Sequence, residues 1–177
     1  VYPKRPFRIS KDNNGGYGSS NKYGTNLISK AINWFVKKNI DWPPLSSVHC
    51  AGILRSLGHA VNYSREIPYK NIDDIDCFIM PSSIVCSETE INVIKKLSNL
   101  KKKVLVTGPF ATSNPDIYIK SGAVVIKGEP EMFFATTQVD TTFCKQMHQK
   151  LRVETSLDLD ELPYPAWDLI LKEQKMF

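Results

Sequence analysis

The sequence has no Cys-x-x-Cys pair and no Cys-x-x-x-Cys-x-x-Cys run: Cys50, Cys77, Cys86 and Cys144 are widely scattered. No zinc or iron–sulfur signature lies within these residues. Lone thiols of this kind read as buried or surface cysteines of a protein kept in a reducing compartment. No stretch approaches the ~18 apolar residues of a membrane span. The start, VYPKRPFR, has no apolar central region of a secretory signal. No G-x-G-x-x-G follows a predicted strand, which argues against a dinucleotide or nucleotide-sugar domain, and no glycine loop ends in Lys-Ser/Thr, which argues against a nucleotide triphosphate site. Basic stripes interleaved with aromatics are missing too, so nucleic acid is not an expected partner.

What is present is a chain of 177 residues with 42% hydrophobic and 23% charged residues. That is enough for one folded α/β domain with a real core. The net charge of +5 is unevenly spread: residues 1–50 hold eight Lys/Arg and two Asp/Glu, whereas residues 151–177 hold three and six. A solvated face explains this. Val1-Tyr2 reads like the last two residues of a strand, and the chain is expected to be a fragment of a longer protein. Residues 3–24 form a long polar loop rich in turn formers, Asp12 to Gly18 above all.

The informative stretch is Val104 to Phe134. Two β-branched runs, Val104–Thr107 and Ala123–Ile126, each lead into a glycine, Gly108 and Gly128, and then into a helix start. Asn114-Pro115-Asp116 opens the helix between them, and Ser121-Gly122 closes it. Strands alternating with helices predict a parallel sheet covered on both faces, with ligands beyond the carboxyl ends of the strands. Glycine at those ends lets a ligand approach the backbone.

The remaining elements follow from periodicity. Asn26–Lys38 is predicted helical from Leu27, Ile28, Ala31, Ile32, Phe35 and Val36. Pro44 opens a second helix that Gly58-His59 ends, and Ala60–Tyr63 is expected to be a short strand. Asp76–Met80 is a strand running into the Pro81-Ser82-Ser83 turn, on the same edge as the glycines. Ser87 and Glu90 form a Ser-x-x-Glu capping box at the next helix. Its apolar face is Ile91, Ile94, Leu97 and Leu100, and Lys101–Lys103 sits at its negative end. Further on, Thr136–Thr142 is expected as an extra strand, Phe143–Leu151 as a short helix, and the proline-broken Asp158–Ile170 as an exit linker.

Four of these segments, in order and at fitting distances, resemble the N-terminal cobalamin-binding domain of radical S-adenosylmethionine enzymes. They are the proline-led helix from Pro44 to Gly58-His59, the loop Thr107-Gly108-Pro109-Phe110-Ala111-Thr112, the turn Gly128-Glu129-Pro130-Glu131, and the linker Leu162-Pro163-Tyr164-Pro165-Ala166-Trp167-Asp168-Leu169. The resemblance covers about residues 42–134 plus 158–170. It implies a flavodoxin-like, Rossmann-type parallel sheet of order 2-1-3-4-5, with helices on both faces and a truncated first strand. Residues 1–41 would be a loop and extra helix inserted after strand one, 42–135 the cobalamin-binding core, 136–157 a peripheral extension, and 158–177 the linker to a radical domain of the same chain.

The corrin would lie over the carboxyl edge, with the Gly108 turn beside its nucleotide tail, Ser82 and Ser83 offering hydroxyls, and Gly128-Glu129 closing the far side. The implied cofactor-binding residues are Pro3, Trp42, Pro44, Leu45, Ser82, Ser83, Thr107, Gly108, Pro109, Phe110, Ala111, Thr112, Gly128, Glu129, Pro130 and Glu131. The resemblance further implies a cytoplasmic methyltransferase using methylcobalamin on a small molecule. S-adenosylmethionine and a 4Fe–4S cluster would belong to residues beyond the linker.

Two departures stand out. The Asp-x-His-x-x-Gly loop of cobalamin proteins is missing. Ser47-Val48-His49-Cys50-Ala51-Gly52 imitates its second half, but His49 falls inside the helix and reads as a packed histidine. No protein residue is therefore expected to ligate the cobalt. The three-cysteine cluster motif is also missing, so no residue here is expected to be catalytic. The alternative reading is a flavodoxin-like or receiver-type module without cobalamin. Lys127 stands close to a receiver's lysine, but Pro3-Lys4-Arg5 occupies the place of its acidic cluster.

Overall fold

The computed structural model describes residues 26–39, 45–137, 150–152 and 158–171. Its centre is an open parallel sheet of order β1-β2-β3-β4: β1 is Cys77–Pro81, β2 Lys103–Thr107, β3 Val124–Lys127 and β4 Lys150–Arg152. Phe78 pairs with Val104, Leu105 with Val124, and Ile126 with Leu151. Every pair is parallel, so the chain returns to the starting edge through a helical connection after each of β1 and β2. The described residues establish a mixed α/β architecture with helices on the sheet.

The helices divide between the two faces, and the period of two along each strand decides which residues meet them. On the first face Leu105, Val124 and Ile126 pack with Cys50, Ile53 and Leu54 of α2 (Leu45–Ser56) and with Phe133 and Phe134 of α6 (Pro130–Thr136). On the second face Val104, Val106 and Val125 meet Ile94 and Leu97 of α3 (Ser87–Asn99), Ala111 of α4 (Pro109–Ser113) and Tyr118 of α5 (Pro115–Ile119). Val104, Leu105 and Val106 are all buried, as a strand covered on both sides requires. Burial of each such side chain stabilises by about 1.5–3 kcal/mol.

Local chemistry fixes the element ends. Asn26 accepts the Ser29 amide through its side chain at 2.7 Å, capping α1 (Leu27–Asn39). Gly58, at φ 89°, ends α2, and the His59 amide donates to the Leu54 carbonyl. After α3, Lys102 donates through Nζ to the carbonyls of Asp73 and Ile75, tying the lysine run to the turn before β1.

Several expectations are corrected. Ala60–Tyr63 is not a strand: among the described residues it lies outside the sheet, and Val61 packs against the first-face cluster. Two of its four residues, Ala and Asn, are poor strand formers. The Ser87–Glu90 capping box does not form. Ser87 already lies in the helix and its hydroxyl donates to the Ile84 carbonyl, while Glu90 turns into the core. Lys150 and Leu151 belong to β4 rather than to a helix, and Thr136 ends α6 rather than starting a strand. Apart from Thr137, which caps α6, the rest of both segments lies outside the described residues.

Residues 158–171 lie against α2. The Ala166 amide donates to the Val48 carbonyl at 2.8 Å. Arg55 donates to both carboxylate oxygens of Asp168, at 2.7 and 2.9 Å. Ala166 and Ile170 are buried, the latter within the last helix, α7 (Asp168–Leu171). Gly52 makes this approach possible: a Cβ there would collide with the Tyr164 carbonyl oxygen.

Candidate functional site

β1, β2 and β3 run in one direction, so the turns that leave them at Ser82, Gly108 and Gly128 share one edge of the sheet. The first two turns are joined. The Ser82 amide donates to the Thr107 carbonyl at 2.7 Å, and Ser82 Oγ accepts the Ala111 amide at 2.9 Å. Gly108 lies between them at φ 99°, where a side chain is strained, and a Cβ on it would come within 3.1 Å of Ser82 Oγ. Glycine thus allows the two turns to touch.

The third turn is tied in from both sides. The Gly128 amide, also at positive φ, donates to Thr112 Oγ1 at 3.3 Å. Ser46, in the first turn of α2, donates to Glu131 Oε1 at 2.9 Å. That bond brings the amino end of α2, with Leu45, to the same edge. Below it, burial pushes the Cys50 thiol well above its ordinary pKa, and the Glu131 carboxylate adds to the rise. Cys50 is thus a buried core thiol.

The sequence-predicted residues separate into two groups. Ser82, Ser83, Thr107, Ala111 and Pro130 are buried and build the wall of the edge. Leu45, Pro109, Gly128 and Glu129 are exposed, and Gly108, Phe110, Thr112 and Glu131 half-exposed, so these meet whatever docks there. Ile84, 48% exposed just after the β1 turn, adds apolar surface that sequence reasoning missed. Pro3, Trp42 and Pro44 lie outside the described residues. His49 and His59 are half-buried, and no group of metal-holding side chains occurs among the described residues.

Two further residues, unremarked in the sequence as site residues, lie beneath the edge. Glu90 is fully buried; its Oε2 accepts the Ser83 amide at 3.3 Å and the Tyr118 hydroxyl at 2.5 Å. Tyr118 is also fully buried, and its ring meets Phe110 edge-on at a centroid distance of 6.2 Å. Burial raises the phenol pKa strongly, and the adjoining Glu90 carboxylate raises it further, so the hydroxyl stays a donor. The available signal was a polar-tipped aromatic at a helix position facing β-branched strands.

On the other side of the sheet's β1 strand, the described residues leave a hollow of about 620 Å³ between α2, residues 59–64 and the strand. No helix among the described residues is long and apolar enough to cross a membrane. No protein-family model, no curated protein and no solved structure matches the chain.

Proposed function

We propose that the chain is the cobalamin-binding domain of a radical S-adenosylmethionine methyltransferase, with the corrin over the edge formed by the Ser82, Gly108 and Gly128 turns. The observation that carries this reading is the Gly108–Ser82 contact: the loop that resembles the family's strand-four motif is the one where the backbone must stay bare for two turns to meet. The finer sheet order, 2-1-3-4-5, belongs to the same proposal. β1, β2 and β3 would be its strands three, four and five.

The residues present suit a large, mostly apolar ligand with a polar tail. Leu45, Ile84, Pro109 and Phe110 would offer apolar contact, while Thr112, the Gly128 turn and Glu129 would meet polar groups. When bound, cobalamin would supply the methyl-transfer chemistry; the protein would bind it, orient it and exclude water. No described side chain is assigned to the cobalt. S-adenosylmethionine, the iron–sulfur cluster and the small-molecule substrate would be handled by residues outside this sequence.

The test is direct. The protein is mixed with hydroxocobalamin, desalted, and its visible spectrum recorded. Retained corrin absorbance at about one equivalent supports the reading. Its loss on desalting overturns it and leaves a flavodoxin-like or receiver-type module as the reading to pursue.

A further inference from the structure

We propose that Glu90 and Tyr118 are positioning residues of the candidate binding edge, a buried polar strut that holds the β1 turn and the Gly108 loop in one fixed relation. The inference deepens the function proposed above and rests on it for the identity of the ligand.

A carboxylate buried to 0% exposure is costly unless its oxygens are satisfied. A core this apolar could have been completed with leucine at position 90 and phenylalanine at 118. The groups that Glu90 engages are informative. One is the backbone amide of Ser83, in the turn after β1; the other is the hydroxyl of Tyr118, on α5, the second short helix after the Gly108 turn. The strut therefore starts on α3 and reaches both of the turns that the Ser82–Ala111 bond already joins. The Tyr118 ring then supports Phe110, a half-exposed residue of the edge itself.

The Ser83 bond and the Phe110 ring contact both end at the turns, and the Glu90–Tyr118 bond links them. A buried hydrogen-bonded network of this kind gives rigidity and a single geometry more than it gives net stability. That is what a preformed ligand edge requires, since a loop already held in its bound shape does not have to be ordered on binding.

The experiment separates positioning from stability. In Tyr118→Phe the strut loses its donor. In the paired replacement Glu90→Leu/Tyr118→Phe both polar partners become apolar at similar volume, so folding is expected to be retained and the melting temperature unchanged or raised. In both variants amide hydrogen exchange at Ser83 and Ala111 is expected to accelerate about tenfold, with exchange in β2 and β3 unchanged. Hydroxocobalamin is expected to bind about tenfold more weakly. Unchanged exchange at Ser83 and Ala111 in the folded paired variant overturns the strut, as does unchanged corrin affinity where the parent chain binds it. Should the parent chain retain no corrin, the cobalamin reading fails by itself, and the exchange measurement still decides whether the strut exists.

Discussion

The two faces of the sheet are built on different principles. The first, between the strands and α2 and α6, is apolar at its centre, from Ile53 and Leu54 through Leu105 and Ile126 to Phe134, and its outer helix is pressed by the 158–171 segment at a glycine notch. The second, under α3 to α5, has an apolar cluster of similar extent but encloses a carboxylate and a phenol. The difference shows where precision is kept. The first face needs volume and close approach; the second needs satisfied hydrogen bonds, and those bonds end at the turns of the candidate edge.

Substitutions can break this contrast. The largest effect is expected at the apolar face: Leu105→Ala empties a fully buried site and should cost about 2–5 kcal/mol in denaturant unfolding. Gly52→Ala forces a methyl group against the Tyr164 backbone and should cost about 1–3 kcal/mol. Limited proteolysis should then cut within residues 158–171 well before the sheet is attacked.

Gly108→Ala should cost about 1–2 kcal/mol from its positive φ alone. It should also weaken corrin retention by more than that loss of stability explains, because Ser82 Oγ must yield. Arg55→Ala should cost under about 1 kcal/mol despite its two short bonds, since the pair is exposed to solvent.

Alkaline pH sharpens the comparison without mutation. Tyr118 and Cys50 both have folded-state pKa values above their ordinary ones, so the folded chain holds protons that the unfolded chain releases. Their contribution is fully present at lower pH. It is lost as pH rises past about 9 for Cys50 on the first face and about 10 for Tyr118 on the second. Stability should fall through this window, and Tyr118→Phe should flatten the upper part of the fall. An unchanged curve in that variant would remove Tyr118 from the account.

Much of this architecture is legible in the residues. The runs DCFIM, VLVT and AVVI announce β1 to β3 because β-branched and apolar side chains fill strands covered on both faces. The prolines and glycines punctuate them correctly. The site was legible only as backbone: Gly108 and Gly128 stand at strand ends, and their placement follows from topology. The strut was not. Ser87-x-x-Glu90 has the spacing of a capping box, and a carboxylate one turn into a helix looks the same in sequence whether it reaches back to an amide or inward to Tyr118. Gly52 escaped for a similar reason: the same logic of a bare backbone applies to it, but the approaching group is the chain's own Tyr164, more than a hundred residues away. Ala60–Tyr63 shows the converse, where a brief apolar pattern after a helix stop is not by itself a strand.

The glycine notch also has a practical side. Leu162 packs against the core cluster beside α2, Ala166 is bonded to α2 itself, and Ile170 is buried one turn further on. Shortening the chain ahead of Leu162 would leave that helix with an apolar strip open to water. Such a piece is expected to be folded but adhesive. Light scattering that grows with protein concentration, absent from the full 177-residue chain, would mark the loss of this cover.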